Sequence, residues 1–492
     1  MRVVFRADAS VELGAGHVMR CLALAGWLKA RGVATHFISR EQPGHLCELI
    51  EAKGHALTRL PAQAADSHLD AEYSAAAFSM ADWLVVDHYG LDATWERALR
   101  ARARRLLVID DLADRPHDCD LLLDQNLQPE AHARYAALLP AGCATLFGPR
   151  HALLRPQFAA NRATPSERRA VRRILVFFGG ADAGGETLKA LAALARLEGT
   201  PPAVDVVIGQ ANPRRAAIER ACQALPAARL HCQVEDMAAL MAAADLAIGA
   251  GGTAAWERCC LGLPCLTLAI ADNQCAPAAA LAEAGGQLYL GASERVPEAA
   301  LAQALAVTLA LPELRAHLSR RGMELVDGRG VERVANRLLV DQVRLRAARP
   351  EDSEIVHAWR NHPETRAASF DAEAIPFASH ARWYADVLAD PGRHLLIGEE
   401  DGQPLGVLRY DLDARTTDRA MVSLYLVPGL GGQGYGTRML LAGHRWLALK
   451  HPEIRRLEAS IRADNAASHG AFRAAGFSLD HAIYRKELDV HA

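Results

Sequence analysis

From the first residues to about position 340, short apolar runs alternate with longer stretches of helical periodicity. The runs lie at 3–5, 83–86, 106–109, 121–123, 174–178, 204–208, 246–248 and 265–268. Continuous apolar runs of this length, separated by helices, predict strands buried on both faces of parallel sheets with crossover helices. After the first run, Val18, Cys21, Leu22, Ala25 and Leu28 fall on one helical face, Lys29 and Arg31 lie in the last turn, and Gly32 is placed as C-terminal cap. The polar, basic stretch 161–170 interrupts the alternation and reads as a linker between two α/β halves. Near Val343 the pattern changes. Arg349-Pro350-Glu-Asp-Ser leads into an amphipathic stretch and then several strands, two of them at 406–410 and 421–426. The expected organisation is an α/β chain of three domains, 1–160, 161–340 and 341–492.

Composition narrows the function classes. A length of 492 residues suits about three domains. With 51% hydrophobic and 23% charged residues the chain has the balance of a soluble globular protein, and with only 5% aromatics its cores must be mainly aliphatic. A net charge of −3 disfavours nucleic acid as a partner. No apolar run approaches the roughly 20 residues that span a bilayer, so no membrane partner is expected. The start runs into Arg6 and Asp8 instead of a signal-peptide core, and a cytoplasmic location is expected. The ten cysteines form no CxxC pair and no Cys/His cluster at zinc spacing; free thiols and no metal are expected.

Three glycine-bearing loops carry the candidate chemistry. The first contains Asp8, Gly14, Gly16, His17 and Arg20 and follows the first predicted strand. Its glycines permit close approach of a ligand, and free amides at the start of the helix favour anionic groups. His17 stands at the carboxyl end of a strand, where open α/β sheets bind ligands. The helix dipole there disfavours imidazolium, so His17 is expected to be neutral and able to act as a base. The alternative is a histidine that caps the helix. In the second half, a strand runs through Gly251, Gly252 and Thr253 into a helix, a cradle for phosphate oxygens. Glu257, one turn deeper, is placed to accept both hydroxyls of a ribose; the alternative is a solvated helix residue. Gly179-Gly180-Ala-Asp182 also follows a strand and is read as approaching the pyrophosphate or sugar. In the last third a strand ends with Leu426, and Gly429, Gly431, Gly432, Gln433, Gly434, Tyr435, Gly436 and Thr437 precede a helix, a run that exposes successive amides to a pyrophosphate.

The first loop resembles the N-terminal signature of the UDP-2,4-diacetamido-2,4,6-trideoxy-β-L-altropyranose hydrolases of pseudaminic acid biosynthesis. That family has the two-domain glycosyltransferase-B fold and is similar to the transferase that makes lipid II. Asp87-His88-Tyr89, Asp110-Asp111, Asp124-Gln125-Asn126, Gly148-Pro149-Arg150 with Arg155, and Gly179-Gly180-Ala-Asp182 match further segments of it in order, over residues 1–340. The resemblance implies two Rossmann-like domains with the reaction between them. It implies that His17 activates or orients the water that attacks the anomeric carbon. Asp8, Gly14, Gly16, Arg20, Asp87, His88, Tyr89, Arg155 and Gly180 would bind the sugar nucleotide. Gly251, Gly252, Thr253, Glu257, Asn273 and Gln274 would bind its UDP.

Residues 343–489 resemble the Gcn5-related N-acetyltransferases, an α/β fold whose glycine loop holds acetyl-CoA. Leu426, Gly431 to Thr437, Asn465 and Phe472 occupy positions that the resemblance assigns to the cofactor. Two positions depart from that pattern: Gly431 stands where Arg or Gln is usual, and Phe472 stands at a Tyr position that supplies the acid for departing thiolate. The acid would then be a water, another hydroxyl such as Tyr484, or unnecessary. Trp359-Arg360-Asn361, Arg366, His380, Trp383 and Tyr384 resemble the acetyltransferase of the same sugar pathway, in which this region covers the acceptor; Trp359 and Trp383 could equally be core residues. Together the resemblances imply a bifunctional enzyme whose partners are a UDP-sugar and acetyl-CoA. The alternatives are a glycosyltransferase fused to an acetyltransferase, or a sugar-nucleotide sensor with a decayed acetyltransferase domain.

Overall fold

The computed structural model describes residues 1–62, 66–162, 170–197, 202–210, 212–413, 416 and 418–480. Most of the expected linker at 161–170 therefore lies outside the described residues. Contacts divide the chain into two compact units, Met1–Val334 and Ala335–Ala492. The division falls inside the helix Gly330–Leu339, earlier than the expected boundary at 340/341. The reason is packing: Leu338, Leu339 and Val340 are buried, and Asp341 pairs with Arg445 of the second unit. Among the described residues no single helix is long and apolar enough to cross a membrane.

The first unit contains two parallel sheets. One comprises β1 (Arg2–Ala7), β2 (Ala34–Arg40), β3 (Ala56–Leu60), β4 (Ala81–Asp87), β5 (Ala103–Ile109), β6 (Leu121–Asp124) and β7 (Ala144–Phe147), in the order β3-β2-β1-β4-β5-β6-β7. The other comprises β8 (Arg173–Phe177), β9 (Ala203–Ile208), β10 (Ala228–Cys232), β11 (Leu246–Ala250), β12 (Cys265–Ala269) and β13 (Leu288–Ala292), in the order β10-β9-β8-β11-β12-β13. Interior strands such as β1 and β11 are buried along nearly their whole length, as both-faces-covered parallel strands require. Each strand order reverses once, between β1 and β4 and between β8 and β11. In open α/β sheets the crevice beyond the carboxyl ends at such a reversal receives ligands. The loop before His17 leaves β1, Asp87 ends β4, Gly179-Gly180 follow β8, and Gly251-Gly252 follow β11. Topology thus places all four predicted segments at the two reversal points.

The second unit has one sheet: β14 (Arg344–Ala347), β15 (Arg393–Glu400), β16 (Gln403–Leu412), β17 (Arg419–Leu426) and β18 (Arg456–Glu458), in sequence order. It is antiparallel as far as β17, and the β17–β18 pair is parallel. That last pairing runs only from Arg419 to Met421, so the carboxyl half of β17 is not paired with β18. The glycine loop leaves from that splayed end and enters the helix Tyr435–Lys450, whose Met439, Leu440 and Leu447 pack on the sheet core.

Candidate active sites

In the first unit the helix Gly16–Lys29 starts without a side-chain cap, so His17 does not serve as one. Its imidazole Nδ1 lies 2.6 Å from the Oδ1 of Asp87. Arg20, one turn on, forks onto the same carboxylate at 2.6 Å from each oxygen. Burial alone would raise the Asp87 carboxyl, but Arg20 and His17 hold it well below the usual carboxylate range. An ionised Asp87 accepts from the Nδ1–H of His17, which leaves Nε2 as the nitrogen with a free lone pair. The edge of the imidazole meets Tyr89 with ring centroids 4.6 Å apart.

Asp8 lies behind this pair. It accepts the fork of Arg6 at 2.6 and 2.8 Å and the amide of Arg40 at 2.7 Å, and the Nε2 of His88 lies 3.3 Å away. Gly90 donates its amide to the Nδ1 of His88, so the ring proton sits on Nε2, facing Asp8. Asp8, Arg20 and Asp87, expected as substrate contacts, are buried and paired with neighbouring side chains. They hold the two histidines in place. Asp111 and Asn126, which sequence reasoning quoted but gave no role, also belong here: the Nδ2 of Asn126 donates to Asp111 at 3.2 Å, and Asp111 lies 3.8 Å from Arg20. Burial and the Asp111 charge push the Tyr89 phenol up, so it stays a neutral donor. Burial also pushes neighbouring Asp124 up to about 7.

The second half of this unit approaches from the other side. A Cβ on Gly16 would stand 3.8 Å from the Thr253 hydroxyl, so the two glycine loops face each other closely. Asn273 donates from Nδ2 to the Tyr89 hydroxyl at 3.4 Å, and Gln274 packs over Gly251. Gly252 adopts φ +74°, which favours glycine at the turn into the helix Thr253–Cys260. Glu257 on that helix is largely buried, 3.5 Å from the Nη2 of Arg155. Burial raises its carboxyl, with Arg155 and Arg258 opposing. Glu257 is therefore not a solvated residue. Gly180 is exposed at the end of β8, its carbonyl accepting the Gly209 amide at 2.9 Å. Gly14 closes the first loop on itself by donating its amide to the Ser10 carbonyl. If Glu257 holds a ribose, Glu257→Ala should weaken UDP binding by about 1.5–3 kcal/mol. Calorimetry with UDP checks this, and unchanged affinity in a folded variant would remove the contact.

In the second unit Gly434, at φ +83°, ends the loop as the residue before the helix Tyr435–Lys450. The first-turn amides of that helix have no carbonyl partner within it and point with the positive end of its dipole. Leu426 ends the preceding strand, and the Gly429 amide donates to Glu364 at 3.1 Å. The Gln433 side chain folds back to the Gly429 carbonyl at 3.5 Å, leaving the loop amides of Gly431 and Gly432 on an exposed surface. Three residues expected at the cofactor make contacts within the fold. Phe472 is buried and meets Phe477 edge-on at 4.9 Å, so it is a core residue. Asn465 caps the helix Ala466–Ala474 through the Ser468 amide, and the buried Thr437 hydroxyl lies 3.4 Å from the Ala471 carbonyl. Trp359, His380 and Tyr384 are likewise buried in the core, whereas Trp383 is half-buried beneath Arg409. Tyr484 lies outside the described residues. Among the described residues no group of three or more His, Cys, Asp or Glu is arranged to hold a metal ion.

Residues 342–478 match the family model described as an acetyltransferase (GNAT) domain, and this part of the chain is a GNAT domain. The remainder has homologues among sugar-processing proteins. The spore coat polysaccharide biosynthesis protein SpsG of Bacillus subtilis (strain 168) is 29% identical over 339 residues, 68% of this chain and 96% of that protein. The UDP-2,4-diacetamido-2,4,6-trideoxy-beta-L-altropyranose hydrolase of Campylobacter jejuni is 22% identical over 244 residues, 49% of this chain and 81% of that protein. The solved structure of MurG from Acinetobacter baumannii superposes with a TM-score of 0.52 at 17% identity, covering 68% of this chain and 99% of that one. The fold is thus glycosyltransferase-B in the first unit and GNAT in the second.

Proposed function

We propose that the chain is a bifunctional sugar-nucleotide enzyme. Its GNAT domain transfers acetyl from acetyl-CoA to the 4-amino group of a UDP-linked 4-amino-4,6-dideoxy sugar. The unprotonated amine attacks the thioester carbonyl, and the thiolate of CoA departs. The first unit then hydrolyses the resulting UDP-2,4-diacetamido-2,4,6-trideoxy sugar. His17 takes a proton from water at Nε2, the oxygen attacks the anomeric carbon with inversion, and the bond from that carbon to the UDP oxygen breaks. Asp87 and Arg20 keep the imidazole in the tautomer this needs. Amides of the loops at Gly251-Gly252 and Gly180 stabilise the charge on departing UDP.

The observation that carries this reading is the 2.6 Å pairing of His17 with buried Asp87 at the reversal point of the first sheet, next to Gly16, which faces Thr253 of the second half. A paired imidazole with one free nitrogen suits activation of a small hydroxylic nucleophile. Water as that nucleophile follows the name of the Campylobacter relative. A second reading, transfer of the sugar to an acceptor alcohol, is favoured by the polysaccharide-biosynthesis name of the more similar Bacillus relative. Turnover in heavy-oxygen water separates them. Hydrolysis at the anomeric carbon puts the label in the free sugar and none in UDP. Label in UDP, or UDP release only when an acceptor alcohol is added, would refute the hydrolytic reading.

A further inference from the structure

The Trp256 indole donates from Nε1 to the Oδ1 of Asn126 at 3.1 Å, and both side chains are more than nine-tenths buried. Trp256 belongs to the helix that follows the Gly251-Gly252 loop, and Asn126 follows β6 of the other half. An indole N–H can only donate, so it fixes the amide's orientation: the oxygen of Asn126 faces Trp256 and its Nδ2 faces Asp111, 3.2 Å from Oδ2. Asp111 in turn lies 3.8 Å from Arg20, and its charge acts on the Tyr89 phenol. Tyr89 touches the His17 ring, and Arg20 grips the carboxylate that holds its Nδ1. Tyr89 also receives Asn273 from the second half. One continuous chain of contacts therefore runs from the helix of the nucleotide loop to His17.

We infer that Asn126 and Trp256 are positioning residues: they tie the placement of the nucleotide half to the orientation of His17 and Tyr89, so that His17 is aligned for attack when UDP is seated. Neither side chain reaches a reacting atom. Asp111 is the junction, because it accepts from Asn126 and lies within ion-pair distance of Arg20. This rests on the hydrolytic reading above, and the test separates the two.

Two variants cut the chain on either side of Asn126. Trp256→Phe removes the indole N–H. Asn126→Asp keeps an acceptor for Trp256 but sets a carboxylate against Asp111. In the full-length protein each should lower kcat for UDP release about 10–100-fold, as expected for a misaligned catalytic group, with KM and UDP affinity within about twofold. The double variant should be no worse than the weaker single one, because both cut the same link. Unchanged kcat in both, or losses that multiply, would overturn the proposal. A second readout needs no turnover. Adding UDP to the wild type should shift the His17 imidazole resonances in NMR, and the shift should vanish in both variants. A wild-type shift that persists in the variants, or is absent from the start, also overturns it. A wild type that transmits the shift but releases no UDP from the sugar nucleotide refutes hydrolysis and leaves the coupling standing.

Discussion

Replacing His17 by Gln should abolish most UDP release from the acetylated UDP-sugar, by about 10²–10⁴-fold, while UDP binding survives. The reason lies in the division of labour across the first unit. In the proposed reaction His17 takes a proton from water at Nε2, because Nδ1 is committed to Asp87. In that proposed reaction the nucleotide is held elsewhere, by the loop at Gly251-Gly252 and by Glu257. Gln fills a similar volume and can hydrogen-bond Asp87, but it cannot accept a proton at neutral pH. Steady-state UDP release and calorimetry with UDP, on the same preparation, check both halves of the statement. Near-normal turnover in the variant would take His17 out of the mechanism.

Gly434→Val should remove acetyl transfer with little effect on hydrolysis of a sugar that is already acetylated. Gly434 holds φ +83°, a region that β-branched residues avoid. A Cβ there would stand 2.6 Å from the Oδ1 of Asn336, a residue fully buried in the same unit. The loop must therefore move, and the first-turn amides of the helix Tyr435–Lys450 move with it. A penalty of about 3 kcal/mol in acetyl-CoA binding corresponds to about a 10²-fold loss. Acetyl transfer read by CoA release, beside UDP release from preacetylated substrate, separates the two activities. Equal loss of both would mean that the variant fails to fold.

The sequence was legible where burial is complete and local. All eight apolar runs are strands, and they form β1, β4, β5, β6, β8, β9, β11 and β12, interior positions of the two parallel sheets. The strands it hid have a physical reason to hide. β3, β7, β10 and β13 are the sheet edges, only partly covered, and carry mixed sequences. β2 is interior but polar. Its Thr35 and His36 bond to His55 and Thr58 of the neighbouring strand region, and its Arg40 pairs with Asp70. Buried polar groups satisfied by partners far along the chain leave no apolar signature.

The same distinction divides the candidate sites. Glycine loops are local and were readable as such. The roles of Asp111 and Asn126 were not, because their meaning depends on Trp256, 130 residues from Asn126. Asp8, Arg20 and Asp87 stand out by motif but their pairing does not, since only the folded chain brings Arg6, Arg40 and His17 around them. Phe472 was placed at the cofactor by its position in a motif, and its side chain belongs to the core.

Two successive activities in one chain can be followed in one incubation by mass spectrometry. The full-length protein is mixed with the UDP-linked 4-amino sugar, with and without acetyl-CoA. With acetyl-CoA the acetylated UDP-sugar should rise first and then give way to UDP and free diacetamido sugar, and without acetyl-CoA the starting sugar nucleotide should persist. Release of UDP from the unacetylated sugar, or accumulation of the acetylated UDP-sugar with no free sugar formed, would contradict the bifunctional reading.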